Sequence, residues 1–183
     1  MNKKTDNRIL KITLSSTIAA VSLVLMLITG IFPFGTFALP CIAGMMITSI
    51  VIECGYKWAF AVYAIVSVLA LIIAGDKEAV VYFIMLFGYY PILKGVFEGR
   101  IKNTIVQYLL KYAVFNVAVI SAFLISIFIL SVPIEEFSIG DYFVPWLFLI
   151  AGNIFFIIYD KAITSVITLY IRRLRGKIIK KKF

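Results

Sequence analysis

The chain has 183 residues, of which 63% are hydrophobic, and it carries a formal net charge of +9 and a mean hydropathy of +1.06. A soluble domain of this length needs many more polar residues to cover its surface, so the composition excludes an ordinary soluble protein. The length allows one membrane domain, 1–183, with no room for a separate soluble one.

Apolar runs long enough to cross a bilayer recur along the whole chain. A membrane helix needs about 20 mainly apolar residues. The sequence therefore predicts an all-α integral membrane bundle of six transmembrane helices, at 12–31, 37–52, 58–74, 79–97, 105–130 and 143–170, followed by a basic tail at 171–183. The first run is long enough to span the bilayer and more runs follow it, so we expect a retained helix rather than a cleaved signal peptide.

The charged residues predict how the helices are oriented. Every lysine and arginine except Lys77 falls at the termini or on the side of the membrane that the termini share. The other side carries mainly acids: Asp76, Glu78, Glu135, Glu136 and Asp141. Lysine and arginine are retained on the inside, so we expect both termini in the cytoplasm of a multi-pass protein in a bacterial plasma membrane. The basic tail is then an anchor touching anionic lipid headgroups, and we expect no nucleic-acid partner.

The sequence offers no set of residues for catalysis. It contains no histidine, which excludes His metal ligands and Ser-His or Cys-His pairs. It also lacks a glycine-rich phosphate loop and the common hydrolase motifs. We therefore expect a protein that is not an enzyme and that holds no metal and no cofactor.

The first predicted helix carries two overlapping pairs of small residues, Ser15 with Ala19 and Ser16 with Ala20. Small residues four positions apart lie on one helix face and allow another helix to approach closely. Two interpretations stay open at this point. The pairs pack inside the bundle, or they form a docking face for a partner membrane protein.

The layout resembles the substrate-binding S component of energy-coupling-factor (ECF) vitamin transporters. The similarity lies in the size, the six spans with both ends inside, the basic-then-small opening KITLSSTIAA at 11–20, the outer loop FPFG at 32–35, and a short second helix with Ala43 and Gly44. The resemblance implies docking of a transmembrane coupling subunit at Ser15, Ser16, Ala19 and Ala20. It further implies two cytoplasmic ATPases as partners and a small-molecule ligand captured from outside.

Candidate ligand residues must be polar or aromatic and face the bundle. We expect substrate-binding roles for Tyr82 in the fourth helix, Asn116 in the fifth, and Trp146 and Asn153 in the sixth. An asparagine in lipid needs a partner. The alternatives are interhelical hydrogen bonding for the two asparagines and an interfacial aromatic role for Trp146.

The fourth helix contains an interruption, GYYPILKG at 88–95. Pro91 leaves a carbonyl near Phe87 without its helical donor, and Gly88 adds freedom, so these two residues predict a hinge. Lys94 can pair with Glu98 one turn later, or with Glu53. The charges here and at Asp160 and Lys161 either snorkel to the membrane surface or contact the coupling subunit.

These observations favour a substrate-binding subunit of an ECF-type transporter that takes up a vitamin-like or other small molecule. Two alternatives stay open. One is a membrane scaffold or assembly protein without a ligand, and the other is a small transporter that works alone.

Overall fold

The computed structural model describes residues 3–32, 35–133, 138–139, 142–143 and 145–175. Within them are seven α-helices: α1 Lys3–Ile28, α2 Gly35–Glu53, α3 Tyr56–Ile73, α4 Lys77–Tyr82, α5 Tyr90–Arg100, α6 Thr104–Phe128 and α7 Pro145–Leu169. Two π-helical segments, Phe83–Phe87 and Tyr170–Arg175, follow α4 and α7. Two short antiparallel strands, β1 Ser138–Ile139 and β2 Tyr142–Phe143, precede α7.

Six helical stretches are long and apolar enough to cross a membrane, which confirms the predicted all-α six-span fold. They are Arg8–Ile28, Gly35–Glu53, Tyr56–Ile73, Lys77–Arg100, Thr104–Phe128 and Trp146–Arg173. We refer to Lys77–Arg100, which includes α4, the π-helical segment and α5, as the fourth span.

The helix ends differ from the predicted ones for identifiable reasons. The fourth span begins at Lys77 because the Asp76 carboxylate accepts a hydrogen bond of 3.0 Å from the Ala79 amide, as a helix N-cap does. The last helix begins at Pro145 instead of residue 143, because Tyr142 and Phe143 belong to β2. Proline suits the first helical position, where its missing N–H costs no bond.

Two apolar cores hold the bundle together, and α2 and the fourth span contribute to both. The first core joins these elements to α1 and α3 through residues such as Met26, Ile47 and Val66. The second joins them to α6 and α7 around Phe115 and Phe156. The fourth span therefore lies between two groups of helices, and its geometry sets how the groups meet.

The two ends of the bundle have different chemistry. At the basic end, Cys54 Sγ lies 4.0 Å from the Lys11 carbonyl oxygen, and the Tyr56 hydroxyl donates a hydrogen bond of 2.9 Å to the Gly95 carbonyl. At the acidic end, the Thr36 hydroxyl donates a bond of 2.8 Å to the Asp76 carboxylate. These contacts join α1 to the α2–α3 turn and α3 to α5 at the basic end, and α2 to the start of α4 at the acidic end. The cytoplasmic location of the basic end stays a prediction.

Candidate functional site

A cavity of about 650 Å³ lies between α6, α7, the fourth span and the start of α2. This volume is within the usual range for small-molecule sites. Half of the lining residues are aromatic: Phe37, Tyr82, Phe87, Phe115, Phe123, Trp146, Phe148 and Phe155. The other half are aliphatic or glycine: Leu86, Val119, Ile120, Ala122, Leu124, Leu149, Ala151 and Gly152.

Two of the four predicted ligand residues line this cavity. Tyr82 is buried, its ring stacks on Phe37 with centroids 4.4 Å apart, and its hydroxyl donates a hydrogen bond to the Glu78 carboxylate. Trp146 lies at the mouth, where 60% of it is exposed. Asn116 and Asn153 do not line the cavity.

The two asparagines pair with each other. The Asn116 amide donates to the Asn153 side-chain oxygen at 3.0 Å, and Asn153 donates back to the Asn116 oxygen at 2.9 Å. Each amide also donates to the carbonyl one turn earlier, at Tyr112 and Leu149. Both side chains are therefore used in joining α6 to α7, which is the interhelical alternative for these residues.

The fourth span is interrupted where Gly88 and Pro91 were expected to form a hinge, but the irregularity begins earlier. The Gly88 amide donates a bond of 2.8 Å to the Phe83 carbonyl five residues back, which closes a π-helical turn. Such turns leave carbonyls without helical donors. The Tyr63 hydroxyl donates 2.9 Å to one of them, that of Ile84.

The carbonyl of Phe87 is the one that Pro91 deprives of its helical donor. It accepts a hydrogen bond of 3.2 Å from the buried Tyr159 hydroxyl of α7. Gly44 of α2 packs against the same carbonyl so closely that a Cβ there would collide with the oxygen. Three elements thus meet at this one backbone group, and the irregular segment is firmly packed. Its role as a moving hinge stays a prediction.

An ion-pair network, buried except at Glu98, lies toward the basic end of the same helices. Asp160 Oδ1 accepts hydrogen bonds of 2.6 Å from both Lys94 Nζ and the Tyr90 hydroxyl. Glu98 Oε1 lies 2.8 Å from Lys94 Nζ and 2.6 Å from Lys111 Nζ. Lys111 Nζ also lies 3.4 Å from Asp160 Oδ1. We call these four charged residues with Tyr90 the charge network.

The burial of Lys94 and Asp160 in the charge network contradicts the snorkelling alternative for these two residues, whereas Glu98 and Lys161 are exposed. The side chains of Lys94 and Lys111 are only 2% and 3% exposed, so they are covered by the surrounding helices. Because two cations face two anions, each lysine is neutralised inside the bundle. The pairing of Lys94 with Glu98 was predictable from their spacing. The participation of Lys111 and Tyr90 was missed, since neither has a local sequence signal for it.

An aromatic layer separates the cavity from the charge network. Phe87 contacts Tyr159 edge-on with centroids 5.2 Å apart, and Tyr90 contacts Phe156 in the same way at 5.1 Å. Phe156 also stacks on Phe115 at 4.3 Å. The rings keep the apolar cavity apart from the ionic groups, so each has its own environment.

The small residues of α1 divide into two kinds. Ser15 is buried and Ala19 packs against the first core, so this pair serves helix packing within the chain. Ser16 and Ala20 are exposed on the outer face of α1. Only the second pair is accessible to a partner helix, and docking at Ser15 and Ala19 would require α1 to move.

Within the described residues, no group of three or more Cys, Asp or Glu side chains is arranged to hold a metal ion. Comparison with protein-family models, curated proteins and solved structures finds no match to this chain.

Proposed function

We propose that the chain is the membrane-embedded substrate-binding subunit of an ECF-type transporter that takes up a vitamin-like or other small molecule. The observation that supports this function best is the 650 Å³ cavity, which is lined by Tyr82 and Trp146 and lies away from the basic end. If the basic end is cytoplasmic, the cavity is in the outer half of the membrane, where an uptake protein must capture its ligand.

The partners in this proposal are a transmembrane coupling subunit and two cytoplasmic ATPases. The outer face of α1 offers the exposed small residues Ser16 and Ala20, which permit close approach of another helix. The chain itself binds and does not hydrolyse. In this family mechanism, the subunit topples in the membrane when it meets the coupling subunit, so that the ligand leaves toward the cytoplasm.

Co-purification tests the partnership. The tagged chain is expressed together with its genomic neighbours, and we expect a coupling subunit and ATPases to elute with it. Ser16→Leu with Ala20→Leu should abolish this association, because two bulky side chains prevent close helix contact. Ser15 and Ala19 stay unchanged because their burial would confound the result with misfolding.

The matched control is Ala61→Leu with Ala113→Leu, which adds the same volume at exposed positions of α3 and α6. The control should retain the partners. Loss of association in both variants, or in neither, would remove the docking proposal for α1.

A transporter that works without ATPases is the second candidate, and the charge network favours it. Ionisable residues buried within membrane spans are expensive and commonly lie on ion or proton pathways. Uptake by proteoliposomes that contain only this chain would support this candidate and contradict the need for ATPases.

A thermal-shift panel of vitamins, nucleobases and amino acids tests the scaffold alternative, because a bound ligand raises stability by RT ln(1 + [L]/Kd). If no compound stabilises the chain, the result favours a scaffold over a ligand-binding protein.

A further inference from the structure

We infer that the cavity binds an uncharged, ring-containing apolar molecule, which enters sideways from the lipid between α6 and α7. The inference rests on the proposed function and specifies its ligand class. It depends on the chemistry of the lining, on the ring geometry of the walls and on where the cavity opens.

The described lining provides no counter-ion for a charged ligand. Among the described residues, no Lys, Arg, Asp or Glu lines the cavity. The Tyr82 hydroxyl already donates to Glu78, and the nearby Asn116 and Asn153 are used by each other. A charged ligand would lose its hydration here without gaining a counter-ion, which is strongly unfavourable. The ring faces attract a cation only weakly, so they do not replace that hydration.

The walls offer aromatic rings in several orientations. Phe37 and Tyr82 present a stacked pair, and Phe87 meets Phe155 edge-on with centroids 6.1 Å apart. Aromatic rings bind one another best in offset-stacked or edge-to-face arrangements. A flat ring inserted between such walls can make both kinds of contact, whereas a lipid acyl chain makes neither. The geometry therefore favours a ring compound over the surrounding lipid.

Beyond its mouth at Trp146, the cavity is also open on the outer surface of α6 and α7. Ile120, Leu124 and Phe155 line the cavity and yet are 49%, 46% and 41% exposed. The outer surface of spanning helices faces lipid. An apolar molecule dissolved in the bilayer therefore meets these residues first and can enter without crossing water.

A substitution at Gly152 can fill the cavity. It lies on the wall, and the nearest atom to a Cβ built there is Phe115 Cζ at an ordinary 3.9 Å. A leucine at this position would extend into the cavity without a backbone collision. Ala151→Leu offers a second filling variant, because Ala151 also lines the cavity and is exposed.

Tryptophan quenching in lipid nanodiscs tests the inference. The chain has two tryptophans, so Trp58→Phe leaves Trp146, at the cavity mouth, as the reporter. The probes are 2-bromonaphthalene, 6-bromo-2-naphthoate and 1-bromodecane, which differ in charge and in the presence of rings. We expect saturable quenching by bromonaphthalene and at least about tenfold weaker apparent binding of the naphthoate, since the charge is not compensated in the cavity. Bromodecane should quench only in proportion to its concentration in the lipid.

In Gly152→Leu and Ala151→Leu, bromonaphthalene quenching should lose its saturable part, whereas the off-cavity control Ala113→Leu should keep it. Size-exclusion chromatography confirms that each variant is folded. If only one of the two filling variants is folded, that variant is enough for the test. Equal saturable binding of the naphthoate, saturable binding of bromodecane, or saturation that persists in the folded filling variants would each overturn the inference. The quenching experiment does not test the proposed function, which would be contradicted instead by the absence of co-purifying ATPases.

Discussion

Asp160 and Lys94 are 66 residues apart in the chain, yet Asp160 Oδ1 and Lys94 Nζ lie 2.6 Å apart between α7 and α5. Tyr90, one turn before Lys94, donates to the same carboxylate oxygen. This ion pair joins α7 to α5, the part of the fourth span that follows the irregular turn at Phe83–Phe87. The ion pair fixes the position of the span at the basic end. The neighbouring Tyr159 hydroxyl donates to the Phe87 carbonyl, which is one helix turn before Tyr90.

Removing the carboxylate charge should destabilise the protein. Asp160→Asn leaves the buried Lys94 without its closest anion and the network with one excess positive charge. Breaking a buried ion pair in this way costs about 3–5 kcal/mol. Thermal unfolding in detergent measures the loss, and Lys161→Met is the matched control because Lys161 is the exposed neighbour on the same helix.

The double variant Asp160→Asn with Lys94→Met should recover much of this stability. It removes one cation with the anion and leaves Lys111 paired to Glu98 at 2.6 Å. A double variant that is less stable than Asp160→Asn would show that Lys94 is not the residue left uncompensated.

The Asn116–Asn153 pair should be coupled energetically. Asn116→Leu leaves the Asn153 amide without its partner across the helices, whereas changing both to leucine leaves no amide behind. A double-mutant cycle on unfolding free energies should give a coupling of roughly 0.6 kcal/mol and at most about 1.7, the range known for membrane hydrogen bonds. Ser121→Ala is the control, because the Ser121 hydroxyl bonds only within its own helix. Additive effects of the two asparagine changes would contradict the pairing.

Gly44→Ala should disturb the contact between α2 and the fourth span. The added Cβ would collide with the Phe87 carbonyl and lie 2.9 Å from the Tyr159 hydroxyl. Overpacking of this kind costs about 1–3 kcal/mol. Gly99→Ala is the matched control, since a Cβ there meets only the Tyr56 hydroxyl at 3.5 Å and alanine favours the helix. Unfolding temperatures compare the two, and equal stability would mean that the close approach of α2 is not required.

Thiol labelling tests the predicted orientation. In a background without Cys41 and Cys54, an impermeant maleimide should label Lys77→Cys in intact cells but label Lys3→Cys and Lys181→Cys only after permeabilisation. This result follows if the basic end is cytoplasmic. Labelling of the two termini from opposite sides would contradict an even number of spans.

In the detergent-purified protein, Cys54 of a Cys41→Ala variant should react slowly with the same reagent. Burial raises the pKa of the Cys54 thiol, so the reactive thiolate is scarce at neutral pH and increases only as the pH rises. The rate constant for alkylation against pH measures this. A rate at pH 7 equal to that of the exposed Lys77→Cys would contradict the buried position.

The sequence predicted most of the fold because lipid imposes a simple rule. Backbone groups in the bilayer must be bonded within the chain, so apolar runs of sufficient length become helices. The fourth span is interrupted near Pro91 as predicted, and the missing N–H of proline explains the free carbonyl at Phe87, but not the π-helical turn at Phe83–Phe87 that precedes it. One local detail differs: the second helix was predicted to begin at residue 37, but α2 begins at Gly35, so Pro40 lies inside it and not in its first turn.

The lining of the candidate cavity was predictable only in part, and the substrate-binding roles stay predictions. Tyr82 and Trp146 were identified because aromatic side chains at the expected depth are candidates for a pocket, and both line the cavity. Asn116 and Asn153 were identified as polar groups that need partners, but only the tertiary structure pairs them with each other. Lys111 was missed because its partner Glu98 lies on another helix, 13 residues earlier in the chain.

The sequence by itself determined that the helices are apolar enough to lie in lipid, how many spans there are, and that basic and acidic residues are separated at opposite ends of the spans. Those properties follow from the lengths of the apolar runs and the positions of the charges along the chain, which do not depend on how the helices pack. The tertiary structure alone decided which small residues of α1 stay exposed, which carbonyl receives the Tyr159 hydroxyl and which lysines share Asp160. These depend on how each helix is rotated against its neighbours, and in lipid that rotation is set by packing and buried hydrogen bonds, because hydrophobicity no longer distinguishes the inside from the outside.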